Sequence, residues 1–290
     1  MDINWIGLDR HLRQWLEEDI GRGDQTTLGV MGMGSTLGEG YWLAKSAGVI
    51  CGLPIAERVF ELLSGVSGGA DNPMHFEQCI RDGTWVEAGT IIVQMRGPLS
   101  TLLTGERVAL NLAMHLSGIA TATRQYIDEI EDLPAQLVDT RKTTPGLRVL
   151  EKYATRTGGG RNHRMGLDDG VMIKDNHIAA AGGIAEAIRS VRATMPYPLT
   201  VEVETENLEQ VHEALSHGAD IIMLDNMAPA VMEKAVKLIR QYSPRVKIEG
   251  SGNVTLKTIR AIALTGVDYI SSSATITRSP WLDLSMRLKS

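Results

Sequence analysis

Covalent and metal cross-links have little to work with in this chain. Only two cysteines, Cys51 and Cys79, occur in 290 residues, and no Cys/His spacing of the zinc-binding kind is present. Buried, reduced thiols in a cytosolic protein are the reading that follows. Long apolar runs are missing too: none approaches the roughly 20 residues that a bilayer-spanning helix needs. The N-terminal stretch is acidic and amphipathic, not charged and then apolar, so no secretory leader is expected. Nor is there a basic excess. A net charge of -6 and a pI near 5.7 argue against a general nucleic-acid binder. With 43% hydrophobic and 22% charged residues, the composition is that of an ordinary soluble globular protein. Its length suits one large or two modest domains.

One stretch reverses the overall charge. Residues 139–177 hold eight Lys/Arg against five Asp/Glu. Its order is readable. A short apolar run, 135–139, fits a buried strand and ends at Arg141-Lys142 and a Thr-Thr-Pro-Gly turn. Residues 147–156 then have helical spacing, with Leu147, Leu150 and Ala154 on one face. The triple glycine 158–160 breaks that helix and permits close backbone approach. Arg161, His163 and Arg164 follow at once. A second apolar run, 170–173, ends at Lys174-Asp175-Asn176-His177. Two strand ends thus both deliver cations, and strand carboxyl ends are where parallel α/β folds bind ligands. Solvated loop residues would account for any one of these cations. They would not call for a Gly-Gly-Gly run or a His between two Args. A multiply acidic ligand would.

Along the chain, residues 8–19 read as an amphipathic helix with Leu8, Leu12, Trp15 and Leu16 on one side. Residues 17–27 read as a polar, Gly-punctuated turn, and 31–35 and 64–72 as Gly-rich loops. Strands are expected at 36–44, 49–51, 75–79 and 90–96, with a helix at 56–63 between them. A long helix is expected at 98–117. From residue 135 the pattern becomes regular. Apolar runs at 135–139, 170–173, 199–204, 220–225, 246–250 and 268–272 alternate with helices near 147–156, 179–194, 207–217, 228–242 and 255–265. Such βα units imply a parallel sheet with right-handed crossovers. Six strands fall short of the eight of a full barrel, leaving an incomplete barrel or an open sheet.

The later strand ends are polar as well. Glu202 and Glu204 alternate along one strand and share a face. Another strand ends at Asp225-Asn226. Ser251-Gly252-Asn253 and Ser271-Ser272-Ser273 are small-residue turns before helices, where backbone N–H groups suit a phosphate. Caps and turns explain each of these singly. The coincidence of cations, carboxylates and Ser/Gly turns on one rim favours a ligand site. Arg forks suit carboxylates and phosphates. Carboxylates without His or Cys partners suit Mg²⁺, which keeps waters and substrate phosphate among its ligands.

Three motifs carry a resemblance: Asp139-Thr-Arg-Lys-Thr-Thr-Pro-Gly146, Gly158-Gly-Gly-Arg-Asn-His-Arg-Met-Gly166 and Ile173-Lys-Asp-Asn-His177. Together with the opening acidic pair leading to Gly23-Asp24-Gln25-Thr26, they closely resemble the quinolinate phosphoribosyltransferase family over nearly the whole chain. The resemblance implies an α/β fold. Its core would be an incomplete parallel α/β barrel of type II phosphoribosyltransferase kind over 118–275. A smaller N-terminal α+β sandwich domain over 1–117 would be joined by the tail 276–290. It implies transfer of phosphoribosyl from phosphoribosyl pyrophosphate to quinolinate with loss of CO₂, in a cytoplasmic homodimer or dimer-based higher oligomer, with no nucleic acid or membrane as partner. Residue by residue, Arg107, Arg141, His163, Arg164 and Lys174 are implied to bind quinolinate, with Arg107 supplied by the partner subunit. Lys142, Glu204 and Asp225 are implied to handle the phosphoribosyl substrate, the two carboxylates with Mg²⁺, held directly or through water. Ser251, Gly252 and Ser273 are implied in the 5′-phosphate cradle. The chain departs from the family at 273–278, Ser-Ala-Thr-Ile-Thr-Arg. Many members have Gly first there and His where Thr277 stands, so Arg278 is the candidate replacement as a phosphate ligand.

Four other readings compete. A relative acting on nicotinate would not need so large a cation cluster. A related group associated with molybdate uptake shares Thr-Arg-Lys but generally lacks Lys-Asp-Asn-His. A Schiff-base aldolase would use Lys142 or Lys174. A non-catalytic anion-binding module would be weakened by Glu204 and Asp225.

Overall fold

The structure, a computed structural model, describes residues 3–31, 36–66 and 74–289. It divides into two compact units. The first comprises Met1–Thr121, Arg156–Gly158 and Ser279–Ser290; the second comprises Ala122–Thr155 and Gly159–Arg278. The sequence expectation had drawn both boundaries a few residues earlier, at 117 and 276.

In the first unit, α1 (Trp5–Ile20) buries Leu8, Leu12 and Leu16, one residue per turn. Where a polar turn was expected, a second helix forms, α2 (Gln25–Met31). Its start is fixed by Asp24, whose carboxylate accepts from the Thr27 N–H at 2.9 Å and the Thr27 hydroxyl at 2.6 Å. The Gly-Asp-x-Thr motif is therefore a helix N-cap. Then come β1 (Leu37–Ala44), β2 (Gly48–Val49), α3 (Leu53–Val66), β3 (His75–Gln78), β4 (Trp85–Val86), β5 (Ile91–Pro98) and α4 (Leu99–Asp128). Ser64 to Val66 complete α3 and are not loop; the rest of that expected loop, and of the one at 31–35, lies outside the described residues. An antiparallel sheet runs β3, β5, β1 and a last strand contributed by residues 284–288 of the tail. Trp42, Phe60 and Phe76 pack ring against ring, with centroids 6.0–6.5 Å apart. Both phenylalanines of the chain sit in this cluster.

The expected end of α4 at Ser117 is overrun. Gly118 continues the helix because the Pro280 carbonyl oxygen passes where a side chain would begin: a Cβ there would lie 2.1 Å from it. Here glycine serves close approach, not helix breaking.

The second unit holds β6 (Gln136–Val138), α5 (Arg148–Thr157, whose last two residues belong to the first unit), β7 (Val171–Ile173), α6 (Asp175–Ala181), α7 (Ile184–Thr194), β8 (Val201–Thr205), α8 (Leu208–Ser216), β9 (Ile221–Asp225), α9 (Pro229–Tyr242), β10 (Lys247–Ser251), α10 (Ile259–Ala263), β11 (Tyr269–Ser271) and α11 (Ala274–Thr277). The tail strand of the first unit, β12 (Leu284–Leu288), follows. The helix expected over 179–194 is two helices. Gly182 and Gly183, both at positive φ (86° and 147°), turn the chain between them. The six strands form one parallel sheet in the order β6-β11-β10-β9-β8-β7. No ladder joins β6 to β7, so the sheet is an incomplete barrel, open between its first two strands in sequence. Val201, Val203, Ile222, Leu224, Ile248 and Ile270 are fully buried in its core.

Candidate active site

A period of two along each strand sends alternate side chains to the same face. One such set is Met172 and Lys174 at the end of β7, Glu204 on β8, Met223 and Asp225 on β9, Glu249 and Ser251 on β10, and Ser271 and Ser273 at β11. Together with Asp139 to Lys142 after β6, His163, Arg164 and Arg278, these residues line a pocket of about 660 Å³ at the strand carboxyl ends. Lys142, Arg141, His163, Arg164, Lys174, Glu204, Asp225, Ser251, Gly252 and Ser273 are thus brought together. Arg107 is not among the lining residues. It lies on α4 in the first unit, 60% exposed, with one guanidinium nitrogen 3.9 Å from Glu106.

The cation-bearing loops are held by a buried polar network that the sequence reading missed. Asp139 is fully buried and accepts from the Asn162 amide at 2.7 Å and the His163 N–H at 2.8 Å. It also accepts from the ammonium of Lys152, itself fully buried, which donates in turn to the His163 carbonyl at 3.0 Å. Burial pushes the Asp139 carboxyl up and the Lys152 ammonium down, each opposed by the other. Glu151, also fully buried, accepts from the Thr144 N–H at 2.9 Å and so ties down the Thr-Thr-Pro-Gly turn. The buried face of α5 therefore carries Glu151 and Lys152 besides Leu150 and Ala154, while Leu147 is only half buried. Hydrogen-bonded charges are buried beside the apolar stripe that the spacing suggested. The signal in the sequence was a Glu-Lys pair between apolar positions, a pattern that solvated charges also produce.

Above this base the cations differ in what they touch. Arg141 Nε is buried without a hydrogen-bond partner, a donor that a bound anion would satisfy. Arg164 donates to the Gly170 carbonyl at 2.9 Å. Burial disfavours its charge, the Arg141 guanidinium adds to that, and Glu202 opposes both. Lys174 is ion-paired with Glu204. Asp225 accepts from the Asn226 amide at 2.7 Å.

His163 has both ring nitrogens engaged. Nδ1 accepts the Arg164 N–H at 2.7 Å, and Nε2 lies 3.1 Å from Glu202 and 3.3 Å from Glu249. Burial disfavours the charged ring, but the hydrogen bonds to Glu202 and Glu249 outweigh it and push its pKa up to about 10. Against that pull, an accepted N–H requires a lone pair on Nδ1, which the imidazolium lacks. The neutral ring with its proton on Nε2 satisfies all three contacts. Among the described residues, His163, Glu202 and Glu249 form a group whose ligand atoms lie within 4.8 Å of one another, close enough for a metal ion. Their N···O distances are nevertheless those of hydrogen bonds.

The Ser251–Asn253 turn is built by backbone. Gly252 has φ 92°, and a Cβ on it would lie 2.2 Å from Asn226 Oδ1. Asn226 also accepts from the Asn253 amide at 3.0 Å, and its N–H donates to the Ser251 carbonyl at 2.9 Å. Two strand ends are thereby pinned to each other around a glycine. Arg278, which follows α11, faces the same pocket. Asn226, Asn253 and Ser272, read from the sequence as strand-end and turn residues, join the lining, and Thr140, Met172, Met223, Val254 and Ala274 join it without having been singled out.

Residues 119–287 match the family described as quinolinate phosphoribosyl transferase, C-terminal domain, and residues 24–117 match its N-terminal domain. The chain is 59% identical over 284 residues to a probable nicotinate-nucleotide pyrophosphorylase (carboxylating) of Synechocystis sp., covering 98% of this chain and 93% of that protein. It is 40% identical over 268 residues to quinolinate phosphoribosyltransferase (decarboxylating) 1b of Nicotiana tabacum, covering 86% of this chain and 73% of that protein. Among solved structures, NadC from Streptococcus pyogenes superposes with a TM-score of 0.92 at 39% identity, covering 100% of this chain and 99% of that one.

Proposed function

Because the chain belongs to the quinolinate phosphoribosyltransferase family, we propose that the pocket of the second unit is where the family's reaction takes place. The chain is a pentosyltransferase. It transfers phosphoribosyl from phosphoribosyl pyrophosphate to quinolinate with decarboxylation, yielding nicotinate mononucleotide, diphosphate and CO₂ in NAD biosynthesis.

The observation that carries the assignment of roles is the buried, unpartnered Arg141 Nε beside Arg164 and Lys174 on one rim. A dicarboxylate would supply the missing acceptor, and guanidinium forks suit each of its carboxylates. Lys142, Glu204 and Asp225 would face the phosphoribosyl donor, with Ser251, Gly252, Ser273 and Arg278 around its 5′-phosphate. As diphosphate leaves C1, positive character grows on the sugar, and Glu204 and Asp225 would stabilise it electrostatically. The pyridine nitrogen takes the ribosyl group. The adjacent carboxylate then leaves as CO₂; the electron pair left on that ring carbon is stabilised by the now cationic nitrogen and takes up a proton from solvent. No covalent enzyme intermediate is needed.

Glu204 and Asp225 fit Mg²⁺: they are hard oxygen donors on neighbouring strands, too few for a closed cage and suited to an ion shared with substrate phosphates. Bound there, Mg²⁺ would offset charge on the departing diphosphate. Arg107, exposed on α4, is read as reaching the site of a second subunit, which makes the enzyme a homodimer. No helix among the described residues is long and apolar enough to cross a membrane; a cytoplasmic location is part of the proposal.

The test is one assay: purified protein, quinolinate, phosphoribosyl pyrophosphate and Mg²⁺, following CO₂ and nicotinate mononucleotide, with nicotinate in a parallel tube. Product from quinolinate alone is expected. Product from nicotinate, or none from either, would overturn the reading.

A further inference from the structure

Glu202 and Glu249 are buried carboxylates with no role in the reading above. Each is 3% exposed, and each leaves its Oε1 without a hydrogen-bond partner. They stand on β8 and β10, on either side of β9. Glu202 is one pleat below Glu204 on the same face. Only Glu249 of the two reaches the pocket lining. Burying two carboxylates side by side is costly, and burial, with Glu249 nearby, pushes the Glu202 carboxyl up toward its neutral form against the hydrogen bond from His163. The group they share is His163 Nε2, at 3.1 and 3.3 Å.

A ring held at Nε2 from two strands cannot turn. Its other nitrogen then has a fixed place, and that place is taken by the Arg164 N–H at 2.7 Å. The Arg164 guanidinium is fixed separately, by the Gly170 carbonyl at 2.9 Å. Backbone and side chain of one anion-binding arginine are therefore anchored at two points before any ligand arrives, and such support from behind sets how well a site is preorganised.

We propose that Glu202 and Glu249 are positioning residues for dicarboxylate binding: they hold His163 with its proton on Nε2, and its Nδ1 locks the Arg164 backbone so that the guanidinium meets one substrate carboxylate. His163 then acts through Arg164 and has no ring nitrogen left for substrate. The inference rests on quinolinate being the ligand of this pocket and deepens that assignment.

Two measurements on the full chain test it. The first reads the ring directly. In ¹⁵N-histidine spectra, with His163 assigned by loss of its signals in His163→Asn, the native protein shows a protonated Nε2 and an acceptor-type Nδ1. A protonated Nδ1 overturns the proposal. The second separates the substrates kinetically. Glu249→Leu raises the quinolinate KM about tenfold, the scale of one lost hydrogen bond to a charged group, and moves the donor KM less than about twofold. Glu249→Gln, which keeps an acceptor for Nε2–H, stays within about threefold of native for quinolinate. Glu202→Leu and Glu202→Gln follow the same pattern. If both substrate KM values rise together, or if Gln is as damaging as Leu, the residues are merely structural or act by charge, and the proposal fails. Should the Leu variants not fold, judged by thermal melting, the native ring spectrum and the Gln variants decide. A native chain that shows the Nε2–H ring but no turnover of quinolinate refutes the functional reading and leaves the ring-holding intact. Turnover with an Nδ1–H ring does the reverse.

Discussion

At the scale of single residues, the site separates what grips a ligand from what holds the gripping group. On the proposed reading Arg141 and Arg164 are of the first kind; Asp139, Lys152, Asn162, Glu202 and Glu249 are of the second. A guanidinium in a held position is not replaceable by an ammonium, because the fork geometry is lost although the charge stays. Arg164→Lys is expected to raise the quinolinate KM about tenfold or more, with the fold intact by thermal melting. An unchanged KM would remove Arg164 from the dicarboxylate site. The same rim carries a further cation. Arg278 lines the pocket after α11. Arg278→Ala is expected to raise the KM for phosphoribosyl pyrophosphate about tenfold and leave that for quinolinate nearly unchanged, as loss of one charge-assisted phosphate contact would. Equal effects on both substrates would argue against a phosphate role.

At the scale of elements, three local rules were overridden for identifiable reasons. Gly118 looked like the end of a helix and is instead the point where backbone passes backbone. The single helix expected over 179–194 is broken at Gly182-Gly183, since both take positive φ. The Gly-Asp-x-Thr stretch looked like a turn and starts α2. That last case yields a prediction. The hydrogen bonds from Thr27 hold the Asp24 carboxyl below its ordinary value of 3.8. A carboxyl whose pKa is lower when folded adds stability that is complete above the unfolded value and fades as pH falls through the folded one. Asp24→Ala should therefore cost about 1 kcal/mol at neutral pH in denaturant unfolding, the usual worth of such a cap. The gap from native should close as pH drops below about 3.8. A gap that persists in strong acid would mean that the aspartate acts by something other than its charge.

At the scale of the whole molecule, Arg107 is the residue that the pocket of the second unit does not contain. A shared site in a homodimer gives it a function and a decisive mixing experiment. Arg107→Ala chains and Lys142→Ala chains are each expected to be nearly inactive alone. After subunit exchange, the mixed dimer holds one site with neither substitution, and about a quarter of native activity should return when exchange is random. No recovery, with exchange shown by mass-tagged subunits, would put Arg107 and Lys142 in the same chain's site or Arg107 in none.

Much of this was already determined by the sequence. Six apolar runs at regular spacing required a parallel sheet, and the polar residues closing those runs had to meet on one rim, because strands of a parallel sheet all end on the same side. Arg141, Lys174, Glu204 and Asp225 were legible for that reason, and Arg164 through the Gly158–Gly166 motif that carries the resemblance. What the sequence could not reveal is which charges turn inward. Glu202 differs from Glu204 by one pleat, and Lys152 lies on α5 only about one turn from the exposed Arg156. Whether a charge there is buried depends on a partner supplied from elsewhere in the chain: Asp139 from the end of β6 for Lys152, and His163 from the loop before β7 for Glu202 and Glu249. Those pairings exist only once the strands have come together, so the support beneath the site was decided by tertiary structure alone.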